Sequence, residues 1–331
     1  GGAGEQETNG TGNRDTGGSG ERETNGSAAA VEGAVSRIAA AGFVLRSVYR
    51  GPVPEGRVTL DALLRKGNTP GISDIDTRAL TLKLRDEGSR TGVIVTPSDS
   101  HARTLSEDDL KKAMEYLRAF PSMVGRNLVT EVGTRSILEI NPQGRPHIAL
   151  LDCGSKANIV RELTSRDCHI TVLPSTVDSR EIAAVGADAV LVSNGPGDPA
   201  VLAPQIQALK ELVGETPLLG ICLGHQLLSH AVGAETEKMK FGHHGVNHPV
   251  RDEKTGRVFV TSQNHGFTVR EDSLPDGVGV WFRNANDGSI EGISSDEQGI
   301  YTAQFHPESS PGPDDSSWIF DSFLSHIGAR S

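Results

Sequence analysis

The sequence predicts an α/β protein: a parallel or mixed sheet covered by helices, with a smaller, incomplete α/β domain before it. Three observations predict this. From His147 onward, short apolar runs alternate with stretches of helical spacing, the pattern of a sheet covered on both faces. Glycine-rich turns follow two of those runs, at Gly195-Pro196-Gly197 and at Gly220-Ile221-Cys222-Leu223-Gly224. The chain has 331 residues, enough for two ordinary domains.

The elements follow in order. Residues 1–27 hold no aliphatic side chain larger than Ala3, and Glu-x-Glu-Thr-Asn-Gly occurs at Glu5–Gly10 and again at Glu21–Gly26. Such a segment buries too little apolar surface to offset chain entropy, so it is expected to be a disordered tail. The chain starts without Met and reads as processed or as a fragment. Residues 28–140 form the smaller domain. Ala28–Ala41 predicts a helix of small residues, Gly42–Tyr49 a strand, and Leu60, Leu63 and Leu64 a short helix ending near Gly67. Ile75–Leu84 begins another helix, with Asp76 or Asp74 as N-cap and Gly88 as C-cap. A strand at Thr91–Val95 and an amphipathic helix at Ser106–Leu117, capped by Ser106, complete the domain. The polar residues here read as a solvated face.

Residues 146–331 form the larger domain. His147–Asp152, His169–Leu173, Ala187–Val192 and Pro217–Ile221 read as buried strands. Helices are expected at Asn158–Leu163, at Gln205–Val213 and after Cys222. Val258–Ser262 and Gly299–Phe305 read as later strands, running into Gln263-Asn264-His265-Gly266-Phe267 and His306-Pro307-Glu308. Sites in such sheets lie at the carboxyl ends of strands, so the Gly195 loop and Cys222 are expected to face each other.

Chemistry concentrates at Cys222. Strand, sharp turn and helix form the context of a nucleophile elbow. Gly220 and Gly224 leave room where strand and helix approach closely, and a helix N-terminus favours an anion. A lone Gly-x-Cys-x-Gly also fits a small buried cysteine. A cysteine nucleophile needs a base and a group that orients the base. His306 and Glu308, at i and i+2 of an extended segment, point to one side and supply both. A lone histidine is more often a satisfied core residue, but three matching features in one domain reverse that. Gly195-Pro196-Gly197 offers bare backbone as the second half of an oxyanion hole, although in isolation it is an ordinary turn.

Composition excludes several classes. A net charge of −11 and a pI near 5.5 favour neither nucleic acid nor an anionic membrane. No apolar run is long enough to span a bilayer, and no signal peptide is evident. The three cysteines show no CxxC pairing, which places the chain in a reducing cytoplasm, with Cys153 and Cys168 structural. Aromatics are only 4% of residues, so aliphatic side chains are expected to build the core. His243, His244 and His248 invite a metal reading, but no carboxylate or thiolate lies at a familiar spacing, so no metal site is expected.

Taken together, Gly220–Gln226, Gly195-Pro196-Gly197 and His306-Pro307-Glu308 resemble the class I (triad) glutamine amidotransferases. Ile75–Leu80, Lys238–Gly245 with Asn247-His248-Pro249, Gln263–Phe267 and Gln304–Pro313 narrow the resemblance to the small subunit of carbamoyl phosphate synthetase, over roughly residues 40–325. The resemblance implies that Cys222 attacks the glutamine amide and forms a thioester, that His306 moves protons and that Glu308 orients it. It places Gly195, Gly197, Leu223, Gln226, Asn264, Gly266 and Phe267 around L-glutamine, with Leu223 and the Gly195 loop holding the oxyanion. It implies no cofactor in this chain. ATP and Mg belong to a large subunit, the expected partner, which makes carbamoyl phosphate for arginine and pyrimidine synthesis. The family's N-terminal domain begins with strands and a Gly-rich segment where residues 1–27 stand, so this domain reads as truncated. An amidotransferase of another synthetase and a weakly active or regulatory paralogue remain the alternatives.

Overall fold

The computed structural model describes residue 38 and residues 40–328. The expected tail at 1–27, and nearly all of the helix expected at Ala28–Ala41, lie outside the described residues.

The N-terminal part is built from short pieces. β1 (Phe43–Val44) pairs in parallel with β2 (Gly71–Ile72). Between them, α1 (Leu60–Lys66) starts at Thr59, whose side chain accepts from the Ala62 amide, and ends at Gly67. α2 (Thr77–Glu87) has Asp76 as its N-cap and Gly88, at φ 92°, after its last turn. α3 (Glu107–Ala119) opens with a reciprocal capping box between Ser106 and Asp109. Two expectations change here. The Gly42–Tyr49 strand shrinks to two residues, and Thr91–Val95 is irregular rather than a strand. α4 (Val129–Val132) leads into the larger domain.

That domain is one ten-stranded mixed sheet, and it begins earlier than expected, because Leu138–Ile140, assigned from sequence to the smaller domain, forms its edge strand. Its strands are β3 (Leu138–Ile140), β4 (His147–Asp152), β5 (His169–Pro174), β6 (Ala189–Val192), β7 (Leu218–Ile221), β8 (Thr236–Asp252), β9 (Val258–Val269), β10 (Gly279–Asn284), β11 (Ile290–Ser295) and β12 (Ile300–Ala303). They lie in the order β3-β5-β4-β6-β7-β12-β11-β10-β8-β9. The run from β5 to β12 is parallel, and the remaining neighbours are antiparallel. The helices are α5 (Ala157–Ser165), α6 (Ser179–Ala184), α7 (Ala203–Lys210), α8 (Leu223–Ala231) and α9 (Trp318–Gly328).

Alternation along the central strands divides the core into two layers. Ile148, Leu150, Leu191, Leu219 and Ile221 face one layer, which also receives α5 and α9. Ala149, Leu151, Val190, Val192 and Leu218 face the other, against α7 and α8. The expected aliphatic core holds for the second layer. The first gathers much of the aromatic complement: Phe259 packs edge-on against Phe282, Phe305 and Trp318.

β8 and β9 depart most from expectation. Gln263–Phe267 does not follow a strand end but lies inside β9, paired with β8. β8 itself mixes buried and exposed positions without a strict period, and its register against β9 shifts twice. No helix among the described residues is long and apolar enough to cross a membrane.

Candidate active site

β7 and β12 are parallel neighbours, with Ile221 in register with Ala303. Cys222 follows the first directly, and His306 follows the second by three residues. The sheet therefore brings together groups 84 positions apart in sequence (306 minus 222). Cys222 sits at the turn into α8 with φ 54° and ψ −100°, a region that a non-glycine residue occupies only when its surroundings hold it there. Its amide donates to the Ala303 carbonyl at 2.8 Å, and the Gly224 amide donates to Ser193 at 3.1 Å. A Cβ on Gly224 would collide with the Val192 carbonyl, which is why α8 can start so close to β6.

Glu308 Oε1 lies 2.7 Å from His306 Nδ1. The two meet across a turn at Pro307-Glu308, closed by the Ser309 amide on the His306 carbonyl, rather than along the extended segment expected. The three side chains are nearly sealed, at 6% exposure for Cys222, 5% for His306 and 1% for Glu308. Burial by itself lowers the basicity of His306. The Glu308 carboxylate and the Cys222 side chain outweigh it and raise the imidazole to about 10. Burial likewise pushes Glu308 up, but His306 and then Lys156 reverse this and hold it below its ordinary value.

Lys156 is the group that sequence reasoning missed. Its Nζ lies 3.1 Å from Glu308 Oε1 and donates to the Ser309 carbonyl at 2.9 Å. Asn158 adds a bond to the Glu308 carbonyl. Both follow the Gly154 turn at the carboxyl end of β4, and that position was the available signal.

A cleft of about 1070 Å³ opens above Cys222 and His306. Gly195, Gly197, Gln226, Asn264, Gly266 and Phe267 all line it, together with Arg90, Phe120 and Arg126 from the N-terminal part, which the sequence did not single out. Gly197 has φ 106°, and a Cβ there would meet the Arg126 carbonyl at 2.9 Å. Gln226 Nε2 donates to the Phe267 carbonyl at 3.1 Å and to Gln304 at 2.8 Å. Leu223 differs from the others. Its side chain packs in the second core layer, and what it can offer the site is its amide, at a helix start with no intrahelical acceptor.

The histidine run does not converge on one point. His244 bonds to Asn264 and to the Phe241 carbonyl, whereas His243 meets Glu291, Asp287 and His265. A carboxylate companion does lie beside His243, then, supplied by β11 rather than by a nearby residue in sequence. Cys153 and Cys168 are both buried, and burial raises their thiols, Cys168 to about 11 and Cys153 further.

The family model for class-I glutamine amidotransferase matches residues 149–326, and that for the carbamoyl-phosphate synthase small chain matches residues 13–94. The chain is 42% identical to the carbamoyl phosphate synthase small chain of Methanopyrus kandleri, over 88% of this chain and 80% of that protein. It is 44% identical to the Methanocaldococcus jannaschii protein of the same name, over 87% and 78%, and 40% identical to that of Neisseria meningitidis serogroup A, over 82% and 74%. An elbow cysteine beside a buried His–Glu pair, a matching amidotransferase domain and these identities lead to one conclusion: the chain belongs to the carbamoyl phosphate synthase small chain family.

Proposed function

We propose that the chain hydrolyses L-glutamine and passes the ammonia to a separate large subunit. The observation that carries the proposal is Cys222, held at positive φ against the buried His306–Glu308 pair at the floor of a glycine-walled cleft. Cys222 Sγ attacks the side-chain amide carbon, and His306 returns a proton to the departing nitrogen. Ammonia leaves and a glutamyl thioester remains. Water, with His306 as base, then releases glutamate and regenerates the thiol. Backbone amides at Leu223 and in the Gly195 loop hold the developing oxyanion. Gln226, Asn264, Gly266 and Phe267 surround the substrate. Glu308, tied down by Lys156, stabilises the charged imidazole.

The large subunit is the proposed site of ATP and Mg chemistry, in which ammonia becomes carbamoyl phosphate. This chain needs no cofactor for the steps above. The test is ammonia and glutamate release from glutamine, with and without a large subunit. Release that survives Cys222→Ala would remove the proposal.

A further inference from the structure

Gln226 stands on the first turn of α8, four residues after Cys222, and is buried. Its Nε2 donates twice, to the Phe267 carbonyl at 3.1 Å and to Gln304 Oε1 at 2.8 Å. Gln304 is fully buried in the bend after β12, two residues before His306. One side-chain bond thus ties the helix that carries the nucleophile to the segment that carries its base.

The two ends of a glutamine amide have nearly the same shape, so hydrogen-bonding chemistry decides which end points where. The Phe267 carbonyl can only accept. Turned over, Gln226 would set oxygen against oxygen there, so its nitrogen faces Phe267. That nitrogen can only donate, so Gln304 must present its oxygen; the reverse would press two NH₂ groups together at 2.8 Å. Turning both amides would satisfy the glutamine pair but leave two oxygens facing each other at Phe267. One arrangement therefore satisfies all three groups. Gln304 Nε2 has no partner among the described residues, so nothing there competes with Gln226 for the orientation of Gln304.

With both N–H groups of Gln226 used, its free end is Oε1. That oxygen takes no hydrogen bond from the described residues, yet it is not sealed from solvent. Gln226 is otherwise buried, so the oxygen opens through the cleft that the residue lines with Gly266 and Phe267. Glutamine brings two donors to that cleft. Its carboxamide nitrogen has to lie against His306, which protonates it as it leaves. The donor left for Gln226 Oε1 is the α-ammonium group, in a charge-assisted bond.

We propose that Gln304 is a positioning residue: together with the Phe267 carbonyl it holds the Gln226 amide with its oxygen towards the cleft, where that oxygen accepts from the α-ammonium group of glutamine. The proposal rests on the glutaminase reading. Without the Gln304 oxygen, one N–H of Gln226 loses its acceptor, the amide is free to turn, and Oε1 is no longer fixed towards the substrate.

The test is calorimetric binding to the full chain carrying Cys222→Ser, beside turnover by the intact chain. The probes are L-glutamine and glutaric acid monoamide, which is glutamine without its α-amino group. Glutamine is expected to bind roughly tenfold to a hundredfold more tightly than the monoamide, the size of one hydrogen bond to a charged group. Gln304→Met, close in shape but without the oxygen, removes most of that preference by weakening glutamine and leaving the monoamide unchanged. Gln304→Asn, which keeps an amide but withdraws its oxygen from reach, does the same. Gln304→Glu, which keeps an acceptor for Gln226, retains the preference. With Gln226→Met already in place, Gln304→Met lowers the preference no further. Equal losses for both probes, or an undiminished preference in Gln304→Met and Gln304→Asn, overturn the inference. The expected preferences in binding, without turnover by the intact chain, overturn the glutaminase reading instead, and no binding of glutamine overturns both.

Discussion

Glu308→Gln tests the proposed catalytic pair most sharply, because the structure sets how large its effect should be. Both cations that touch Glu308 reach the same oxygen: His306 Nδ1 at 2.7 Å and Lys156 Nζ at 3.1 Å from Oε1. A glutamine can place its carbonyl oxygen there and its NH₂ where Oε2 now has no partner. The imidazole tautomer and orientation survive, and only the negative charge is lost. General acid–base groups contribute roughly 10²–10⁴-fold, the upper end applying when orientation is lost as well. The expected loss in kcat is therefore on the order of 10²-fold, far less than for Cys222→Ala. His306, raised to about 10 chiefly against its burial by Glu308, becomes less basic, so the alkaline limb of the rate profile moves to lower pH. Stability shifts in a related way. A histidine that binds its proton more tightly when folded stabilises the fold fully below about pH 6.5, and the contribution disappears as pH rises towards about 10. In Glu308→Gln this alkaline loss should shrink. Steady-state glutamine hydrolysis across pH, with denaturant unfolding alongside, measures both. A kcat within twofold of the parent, or an unmoved alkaline limb, would refute the reasoning.

Three further outcomes are expected. A glutamine-like electrophile such as a diazo-ketone analogue should label Cys222 and leave Cys153 and Cys168 untouched, since burial holds both of those thiols protonated; peptide mapping decides, and label on Cys153 would contradict the assignment. Gly224→Ala should cost about 1–3 kcal/mol by overpacking against the Val192 carbonyl, read from urea unfolding, and a neutral result would mean that α8 can move away from β6. Phe282→Ala, at a side chain that is 0% exposed and packs edge-on against two phenylalanines, should cost about 3–5 kcal/mol.

Much of this was legible in the sequence where a single physical signal dominated. β4 matches the expected His147–Asp152 because a strand buried on both faces reads as an unbroken apolar run. Capping residues placed α2 and α3 for an equally local reason. β8 was illegible: its seventeen residues carry lysines, histidines and glycines with no period of two, and the shifts in register against β9 break any alternation. Gln263–Phe267 looks like a loop because it is polar, yet β9 buries Gln263, His265 and Phe267, the first two in a hydrogen-bonded interior that only tertiary structure provides. In the site, Cys222, His306 and Glu308 stood out by residue type and spacing. Lys156, Asp287 and Glu291 did not, because an exposed charge and a buried partner look the same in sequence.

The parallel register of β7 and β12 has a consequence for how this site can fail. The Cys222 amide is bonded to Ala303, the Gly224 amide to Ser193 and the His306 amide to Ser262, so each reactive segment is anchored to a neighbouring chain segment of the central sheet. Fraying cannot loosen these anchors one at a time. In hydrogen exchange, the Cys222 and His306 amides should exchange only through opening of the whole sheet, while those of β1, β2 and α1, joined by few long-range contacts, exchange through small local openings. Heat or denaturant should then abolish the elbow in the same cooperative step that melts the larger domain, with no stage at which the sheet persists and the reactive geometry is already lost.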